Sequence, residues 1–240
     1  MRRGALFSAV LFCIALAVSA RAGENAQQVF PLSPGTFWIY HGLVRSWTEG
    51  SSIGNVTHVT WKMSVLRVVE RGGITAAIVS GFPSDLDWTE GQATVQRSML
   101  VGTADSKYYF DSPWDTSLVT SLIDAPEYPL DELARPDEWI LQLPLSAGER
   151  FGCDRAAADR KDGKYCWVVG APSPVVLGHV KGVAPGQRQE YEIDYDSVAD
   201  DTEIEFVPGI GITGYQYHHH GAIAETELQL VEFHSGDSAR

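Results

Sequence analysis

The stretch 56–70, which reads VTHVTWKMSVLRVVE, decides the fold class of this chain. From Val59 to Val65, every odd position is apolar and every even position is polar. Alternation at every second residue predicts a β-strand with one buried face. Gly72-Gly73 then turns the chain into the apolar segment 74–80, so we expect the two segments to form a hairpin.

Strand-like patterns recur along most of the chain. Further strands are predicted at 37–47, 93–101, 107–111, 165–170, 189–196, 202–207, 212–220 and 222–233. The region 114–135 differs, because its apolar residues have helical spacing and are followed by prolines, which predicts a short helix and an irregular crossover. Prolines and glycines between 172 and 186 predict a long loop or two short edge strands.

These patterns together predict a mainly β fold. We expect a single antiparallel, strongly curved sheet, a half-barrel or a barrel-like form, with one short helical insert. A β-sandwich is the alternative. The sequences 31–35 (PLSPG) and 144–148 (PLSAG) resemble each other, and each predicts a tight turn with its glycine at positive φ. Two related halves of one sheet, or independent use of the same turn, would explain this echo.

The amino terminus has the order of a secretory signal. Arg2 and Arg3 precede an apolar run over 4–18, and small residues follow. The run is about 15 residues long, whereas a membrane span needs about 20. The sequence therefore predicts a cleavable signal peptide over 1–22, with cleavage after Ala22 or after Ala20. An uncleaved membrane anchor is the alternative.

The remainder, 23–240, is expected to form a single β-rich domain, because no linker-like stretch divides it. No other segment is long and apolar enough to span a bilayer, so we expect no transmembrane span in the mature chain. Cys13 lies inside the apolar run and should leave with the signal, which predicts a soluble protein without a lipid anchor. The expected location is periplasmic or secreted.

The charge of the chain limits its partners. The full sequence has a net charge of −13, and loss of three arginines with the signal would leave 15 basic against 31 acidic residues, a net charge of −16. Such a charge disfavours binding to nucleic acid and to anionic lipid. It is compatible with high solubility, with a cationic partner or with a divalent metal.

Two cysteines remain after cleavage of the signal, Cys153 and Cys166. In an exported protein, two thiols this close in sequence are expected to pair as a disulfide. The charged, glycine-containing segment between them is typical of a hairpin tip. A free or metal-binding pair is the alternative.

Three segments resemble a group of uncharacterised bacterial exported and lipoprotein-like proteins. They are 30–40 (FPLSPGTFWIY), with its Pro-Leu, glycine and Trp-x-Tyr pattern, 143–148 (LPLSAG) and 206–211 (FVPGIG). The resemblance implies an antiparallel half-barrel of the lipoprotein-carrier type and no defined activity. The lipidated cysteine common in such proteins is missing from this sequence.

The sequence 218–220 (HHH) is a candidate metal site. On a strand, His218 and His220 point to one face and His219 to the other. His218 and His220 could therefore share a zinc ion, with Glu225 or His41 as the third ligand. The alternative is a polar strand end whose rings form hydrogen bonds or stack on tyrosines.

Two further patterns, an acidic run and a G-x-S-x-G sequence, are weaker candidate sites. Acidic residues alternate along 190–196 and continue after it, which could bind calcium but is more typical of the solvated face of a strand. The sequence 50–54 (GSSIG) has the G-x-S-x-G pattern of a hydrolase, but it lies in a polar loop between two strands rather than between a strand and a helix. We therefore expect no cofactor, with zinc or calcium as the alternatives.

No motif for phosphate or dinucleotide binding is present, and no catalytic residues are assigned. The sequence favours a non-catalytic exported β-domain that binds an apolar ligand, an envelope component or a protein partner in the concave side of its sheet. A structural or assembly protein without a small ligand is one alternative. An extracytoplasmic hydrolase that uses a metal or carboxylates is the other.

Overall fold

The computed structural model describes residues 30–47, 54–87, 94–111, 116–153, 159–221 and 224–236. The predicted signal peptide lies outside the described residues and stays a prediction. The strands are β1 (Phe37–Ser46), β2 (Asn55–Arg71), β3 (Ile74–Ser80), β4 (Arg97–Gly102), β5 (Lys107–Asp111), β6 (Trp139–Gln142), β7 (Arg150–Phe151), β8 (Trp167–Val169), β9 (Ser173–Val176), β10 (Gln187–Asp196), β11 (Asp200–Val207), β12 (Gly211–His219) and β13 (Ala224–His234). One helix, α1 (Thr116–Asp124), lies in the crossover between β5 and β6.

All thirteen strands belong to one sheet. Its order is β6-β5-β4-β3-β2-β1-β13-β12-β11-β10-β8-β7, with β9 paired to β10 beside β8, and the ladders are antiparallel. The sheet curves until its two end strands meet, since the rings of Trp139 and Phe151 lie 5.7 Å apart. The predicted fold class, a barrel-like antiparallel sheet with one short helix, is confirmed.

The sheet consists of two meanders of six strands joined at β1 and β13. The first runs from β1 to β6 and the second from β7 through β8 and β10 to β13. Each begins with the echoed turn: Gly35 and Gly148 have φ of 83° and 81°. Their amides donate to the carbonyls of Val65 and Val169 at 3.0 and 2.7 Å. The predicted positive φ is confirmed, and the turns occupy equivalent places in two similar halves.

The interior of the barrel is packed solid at one end. Phe30, Trp38 and Phe206 meet there, with the ring of Phe30 5.8 Å from Trp38 and 5.6 Å from Phe206. The indole N–H of Trp38 donates to the carbonyl of Ile210 at 2.6 Å, so this buried donor is hydrogen-bonded. These three rings belong to the buried core inside the sheet.

The loop after β3, residues 81–87, enters the interior and acts as a plug. Phe82 and Leu86 are buried in the inner core, and the ring of Phe82 stacks on Phe110 with centroids 4.1 Å apart. The indole of Trp61 donates to the carbonyl of Gly81 at 2.8 Å. At the end of the loop, Asp87 reaches Tyr215 on the inner face of β12.

The crossover between β5 and β6 covers the outer face of β3 and β4. Ile123, Leu130 and Leu133 pack there against Ile78 and Met99, forming a second core. Because both faces of β3 are covered, its sequence is apolar at successive positions rather than alternating.

Candidate functional site

The other end of the interior is open and forms the inner cavity, a space of about 1120 Å³. It extends from the place where β6 and β7 meet to the inner faces of β8, β10, β11 and β12. Its described lining consists of Pro136, Asp137, Glu138, Ile140, Gly152, Cys153, Trp167, Tyr195, Asp200, Thr202 and Tyr217. Cavities that hold small ligands in proteins span about 300–1000 Å³, so the volume suffices.

The inward side chains become less buried and more polar toward one end of the strands, and the cavity lies at that end. On β11 the inward side chains change from Phe206 and Ile204, which are buried, to Thr202 and Asp200, which are partly exposed. On β10 they change from the buried Ile193 to the half-buried Tyr195 and leave the same end open. The sequence thus fills one end of the barrel with apolar side chains and places polar and aromatic ones around the opening.

Asp200 is the ionised group of the inner cavity. The hydroxyl of Tyr217 donates to Asp200 Oδ1 at 2.6 Å, and His219 Nδ1 lies 2.7 Å from the same oxygen. Burial raises the pKa of Asp200, but the hydrogen bonds from Tyr217 and His219 outweigh burial and hold this pKa below its ordinary value. The carboxylate is therefore charged at neutral pH and fixed in orientation.

Asp87, at the end of the plug, has the opposite protonation state. It accepts a hydrogen bond of 2.5 Å from the hydroxyl of Tyr215 on β12. Burial raises the pKa of Asp87 to about 8, against the hydrogen bond from Tyr215, and the negative charge of Asp200 adds to the rise. Asp87 therefore keeps its proton at neutral pH.

The rim of the cavity is acidic. Asp137 and Glu138 belong to the 3-10 turn Pro136–Glu138, directly before β6. Burial raises the pKa of Glu138, although Arg135, whose guanidinium lies 2.9 Å from its carboxylate, opposes the rise. None of the described lining residues is a lysine or an arginine.

The wall opposite the rim is aromatic. Trp167 on β8 and Tyr195 on β10 face the cavity side by side, with ring centroids 5.2 Å apart. Cys153, which also lines the cavity, is joined to Cys166 by a disulfide, as the sequence predicts. The bridge links the ends of β7 and β8 and so supports the edge of the opening.

The predicted histidine pair lies on the opposite, outer face. His218 Nδ1 is 3.3 Å from Glu225, His220 Nε2 is 2.8 Å from Asp201, and the rings of the two histidines are 5.2 Å apart. In the described part of the chain, no third ligand atom lies close to both histidines. His41 pairs with Gln229 on β13, four residues along that strand from Glu225, and is not drawn into the pair. Zinc binding by His218 and His220 stays a prediction.

The acidic strand likewise faces outward. Glu192 and Asp194 on β10 meet Glu203 on β11, with one carboxylate oxygen of each within 4.8 Å of the others. Burial and the neighbouring carboxylates raise the pKa of Glu203 to about 7 and that of Asp194 to about 6. Calcium needs six or more oxygen ligands, so three carboxylates alone do not decide between calcium and a solvated face.

Most of the G-x-S-x-G sequence lies outside the described residues. Its last residue, Gly54, directly precedes β2, so a strand follows the motif where a hydrolase elbow requires a helix. This placement agrees with the expectation that the motif is not a nucleophile site.

The sequence did not identify Asp200 and Trp167 as lining residues of one cavity, nor Asp87 as the partner of Tyr215. Alternation did separate His219 from its two neighbours, and the same alternation, followed along Tyr215, Tyr217 and His219, marks the inner wall. The signal that could have found the cavity is the loss of apolar character at the inward positions toward one end of β10, β11 and β12.

Comparisons with known proteins give remote likenesses. No protein-family model and no curated protein matches the chain. No helix in the described ranges has the length and apolar character needed to cross a membrane. A solved structure from Bacteroides fragilis, described as an exported protein with a YmcC-like fold, matches with a TM-score of 0.37 and 10% identity over 85% of this chain and 98% of its own.

A second structure, from Parabacteroides distasonis and described as a lipoprotein, matches with a TM-score of 0.37 and 11% identity over 85% of this chain and 97% of its own. Both proteins are of the class that the sequence resemblance names, exported proteins and lipoproteins. At this TM-score the likeness supports no statement about ligand or activity. The chain is similar to these two proteins, described as an exported protein and a lipoprotein, and the likeness goes no further.

Proposed function

We propose that this protein is an exported, non-catalytic binding protein that holds a small apolar or amphipathic ligand in the inner cavity. The observation that carries the proposal is the form of the barrel: it is solid at one end and open at the other. Protein interiors are close-packed, so a space of about 1120 Å³ bordered by the described residues supports a binding role over a purely structural one.

The lining supports ligand binding. Trp167, Tyr195 and Ile140 offer apolar surface, and Asp200, Thr202 and Tyr217 offer a few polar groups on one side. Binding sites for small molecules combine these two features, an apolar wall for affinity and convergent polar groups for orientation. The cavity is reached from the open end of the barrel, beside the place where β6 and β7 meet without a described ladder between them.

The location outside the cytoplasm is part of the same proposal. The signal-like start of the sequence and the disulfide between Cys153 and Cys166 support it, because disulfides form and persist in oxidising compartments. A ligand carrier or sensor in the envelope would meet apolar compounds there, and the acidic surface would keep such a protein soluble.

Fluorescence titration with the neutral apolar probe N-phenyl-1-naphthylamine tests the proposal. We expect saturable binding with a dissociation constant on the order of micromolar, with quenching of tryptophan emission. Thr202→Tyr should weaken binding at least about ten-fold, because the added ring fills the cavity. Glu203→Tyr, its neighbour on the outer face of β11, is the matched control and should bind as the wild type does. Equal binding by the wild type and Thr202→Tyr would refute the site.

The hydrolase alternative has one observation in its favour. Asp87 is protonated and Asp200 is ionised, and two carboxyl groups in opposite states can serve as general acid and general base. Asp87 is not among the described residues that line the cavity, which favours binding over catalysis. Turnover of chromogenic glycosides or esters that is lost in both Asp87→Asn and Asp200→Asn would reverse this preference.

A further inference from the structure

The charges around the inner cavity are one-sided. Asp137, Glu138 and Asp200 line it, and its described lining contains no lysine or arginine. Glu138 is largely balanced by Arg135, which lies outside the lining and also pairs with Asp111. Asp137 and Asp200, whose Oδ1 lies 2.7 Å from His219 Nδ1, are then the carboxylates that a ligand in the cavity would meet, and no described lining residue is a lysine or an arginine that would offset them.

The carboxylate of Asp200 is held in one orientation and is accessible to a positively charged group. Its Oδ1 already accepts from Tyr217 and faces His219, which fixes the carboxylate against rotation. Its side chain is 34% exposed, so the carboxylate is not sealed from the cavity. A fixed, charged acceptor of this kind forms stronger hydrogen bonds with an ammonium than with a neutral donor.

The aromatic wall favours the same class of ligand. Trp167, Tyr195 and Tyr217 present their rings to the cavity that Asp200 borders. The faces of aromatic rings attract organic cations, and their apolar surface accommodates an alkyl or aryl body. An anionic ligand would gain neither interaction and would be repelled by Asp200 and Asp137.

A bare metal ion fits the cavity less well than an organic cation does. In the described part of the chain, the carboxylates that approach one another closely enough to share a metal are Glu192, Asp194 and Glu203, on the outer face. Asp200 is not part of that group, and the rings opposite it offer no oxygen ligands except phenolic hydroxyls, which calcium and magnesium rarely use.

We infer that the ligand of the inner cavity is an organic cation, an amine or quaternary ammonium compound with an apolar body. Its charged group would lie at Asp200 and its body against Trp167 and Tyr195. This inference rests on the proposed function, since it names the ligand class of the same cavity. The net charge of −13 would raise the local concentration of such cations around the protein.

Displacement of bound N-phenyl-1-naphthylamine by decylammonium, decanol and decanoate, at pH 7 and below the concentrations at which they form micelles, tests the inference. The three compounds share one alkyl chain and differ in charge. We expect decylammonium to displace the probe at a concentration at least about ten-fold lower than decanol requires, and decanoate to be the weakest. Asp200→Asn should reduce the preference for decylammonium over decanol to below about three-fold, and this ratio is compared within the variant, so it does not depend on how tightly the variant holds the probe.

Asp201→Asn is the matched control, because Asp201 is the next residue on β11, faces outward and pairs with His220. It should keep the full preference. If Asp200→Asn does not fold, the wild type alone suffices: its preference should fall several-fold between about 0.02 and 0.5 M salt, because salt screens the cation from the carboxylate.

The outcomes separate the two proposals. Equal displacement by decylammonium and decanol in the wild type, or a preference that Asp200→Asn retains, overturns the cationic ligand and leaves the binding function intact. Failure of the wild type to bind the neutral probe overturns the proposed function itself, and the inference with it.

Discussion

Asp87 and Asp200 show how burial and hydrogen bonds together decide the protonation state of a carboxyl group. Both belong to the interior, but Asp200 receives two hydrogen bonds and keeps its charge, whereas burial dominates at Asp87 and keeps it neutral. Neither state follows from the sequence. Asp87 meets Tyr215 across 128 residues of chain, and Asp200 belongs to an acidic run that is typical of a solvated turn. What alternation did predict is that His219 faces away from His218 and His220.

The raised pKa of Asp87 gives the protein a defined pH dependence. An aspartate in an unfolded chain has a pKa near 3.9, and burial in the folded protein raises the pKa of Asp87 to about 8. Between these two pH values the folded state holds one proton more than the unfolded state. The free energy of unfolding should therefore fall as the pH rises from about 4 to about 8, and the loss should be complete above that range.

Asp87→Asn should remove this part of the pH dependence, because asparagine is neutral at every pH and can still accept from Tyr215. Urea unfolding at several pH values should show the variant gaining on the wild type by several kcal/mol between pH 4 and 8, on the order of 1.4 kcal/mol for each unit of pKa shift. Asp131→Asn, at an exposed position of the crossover, is the control. Parallel curves for Asp87→Asn and the wild type would show that Asp87 is ionised in the folded protein.

Among the elements, most strand bounds were predicted closely. Nine strands agree with the predicted bounds within two residues at each end: β1, β2, β3, β5, β8, β10, β11, β12 and β13. β6 and β7 have four and two residues and were missed, because alternation cannot be recognised over so few positions, whereas the short β8 lies within the longer predicted segment 165–170. The start of β4 was predicted too early, since the amide of Gln96 donates to the carboxylate of Asp85 and the ladder begins only after it.

The hairpin of β7 and β8 has a short ladder and a disulfide. The ladder joins Arg150 to Val168 and Phe151 to Trp167, and Cys153–Cys166 closes it at the tip. A double variant, Cys153→Ser with Cys166→Ser, should lower the free energy of unfolding by about 2–3 kcal/mol, because the unfolded chain regains the freedom of the closed loop. Urea denaturation followed by tryptophan fluorescence measures the change.

Alkylation of the native protein provides the complementary control for this element. Without a reducing agent, neither cysteine of the mature chain should be labelled. Labelling of both thiols, or a double variant with the unfolding midpoint of the wild type, would show that the bridge does not support the hairpin.

At the scale of the whole molecule, the barrel consists of two similar meanders, and its interior is filled with side chains at one end and open at the other. The echoed turns at Gly35 and Gly148 were visible in the sequence, and they begin halves of six strands each. The curved sheet also followed from the alternation and the scarcity of helical patterns. The cavity did not, since an aromatic-rich sequence can fill a core or line an opening equally well. Which one occurs depends on how the plug at 81–87 and the segment before β1 divide the interior between them.

The central claim is that the open end of this barrel holds a small ligand, and native mass spectrometry tests it most directly. The protein would be purified under mild conditions from the cells in which it naturally occurs, beside its Thr202→Tyr variant. We expect the wild type to show a reproducible mass above that of the mature chain, which is lost on denaturation and is lacking in the variant. A wild type with the mass of the polypeptide alone, indistinguishable in loading from Thr202→Tyr, would contradict this claim.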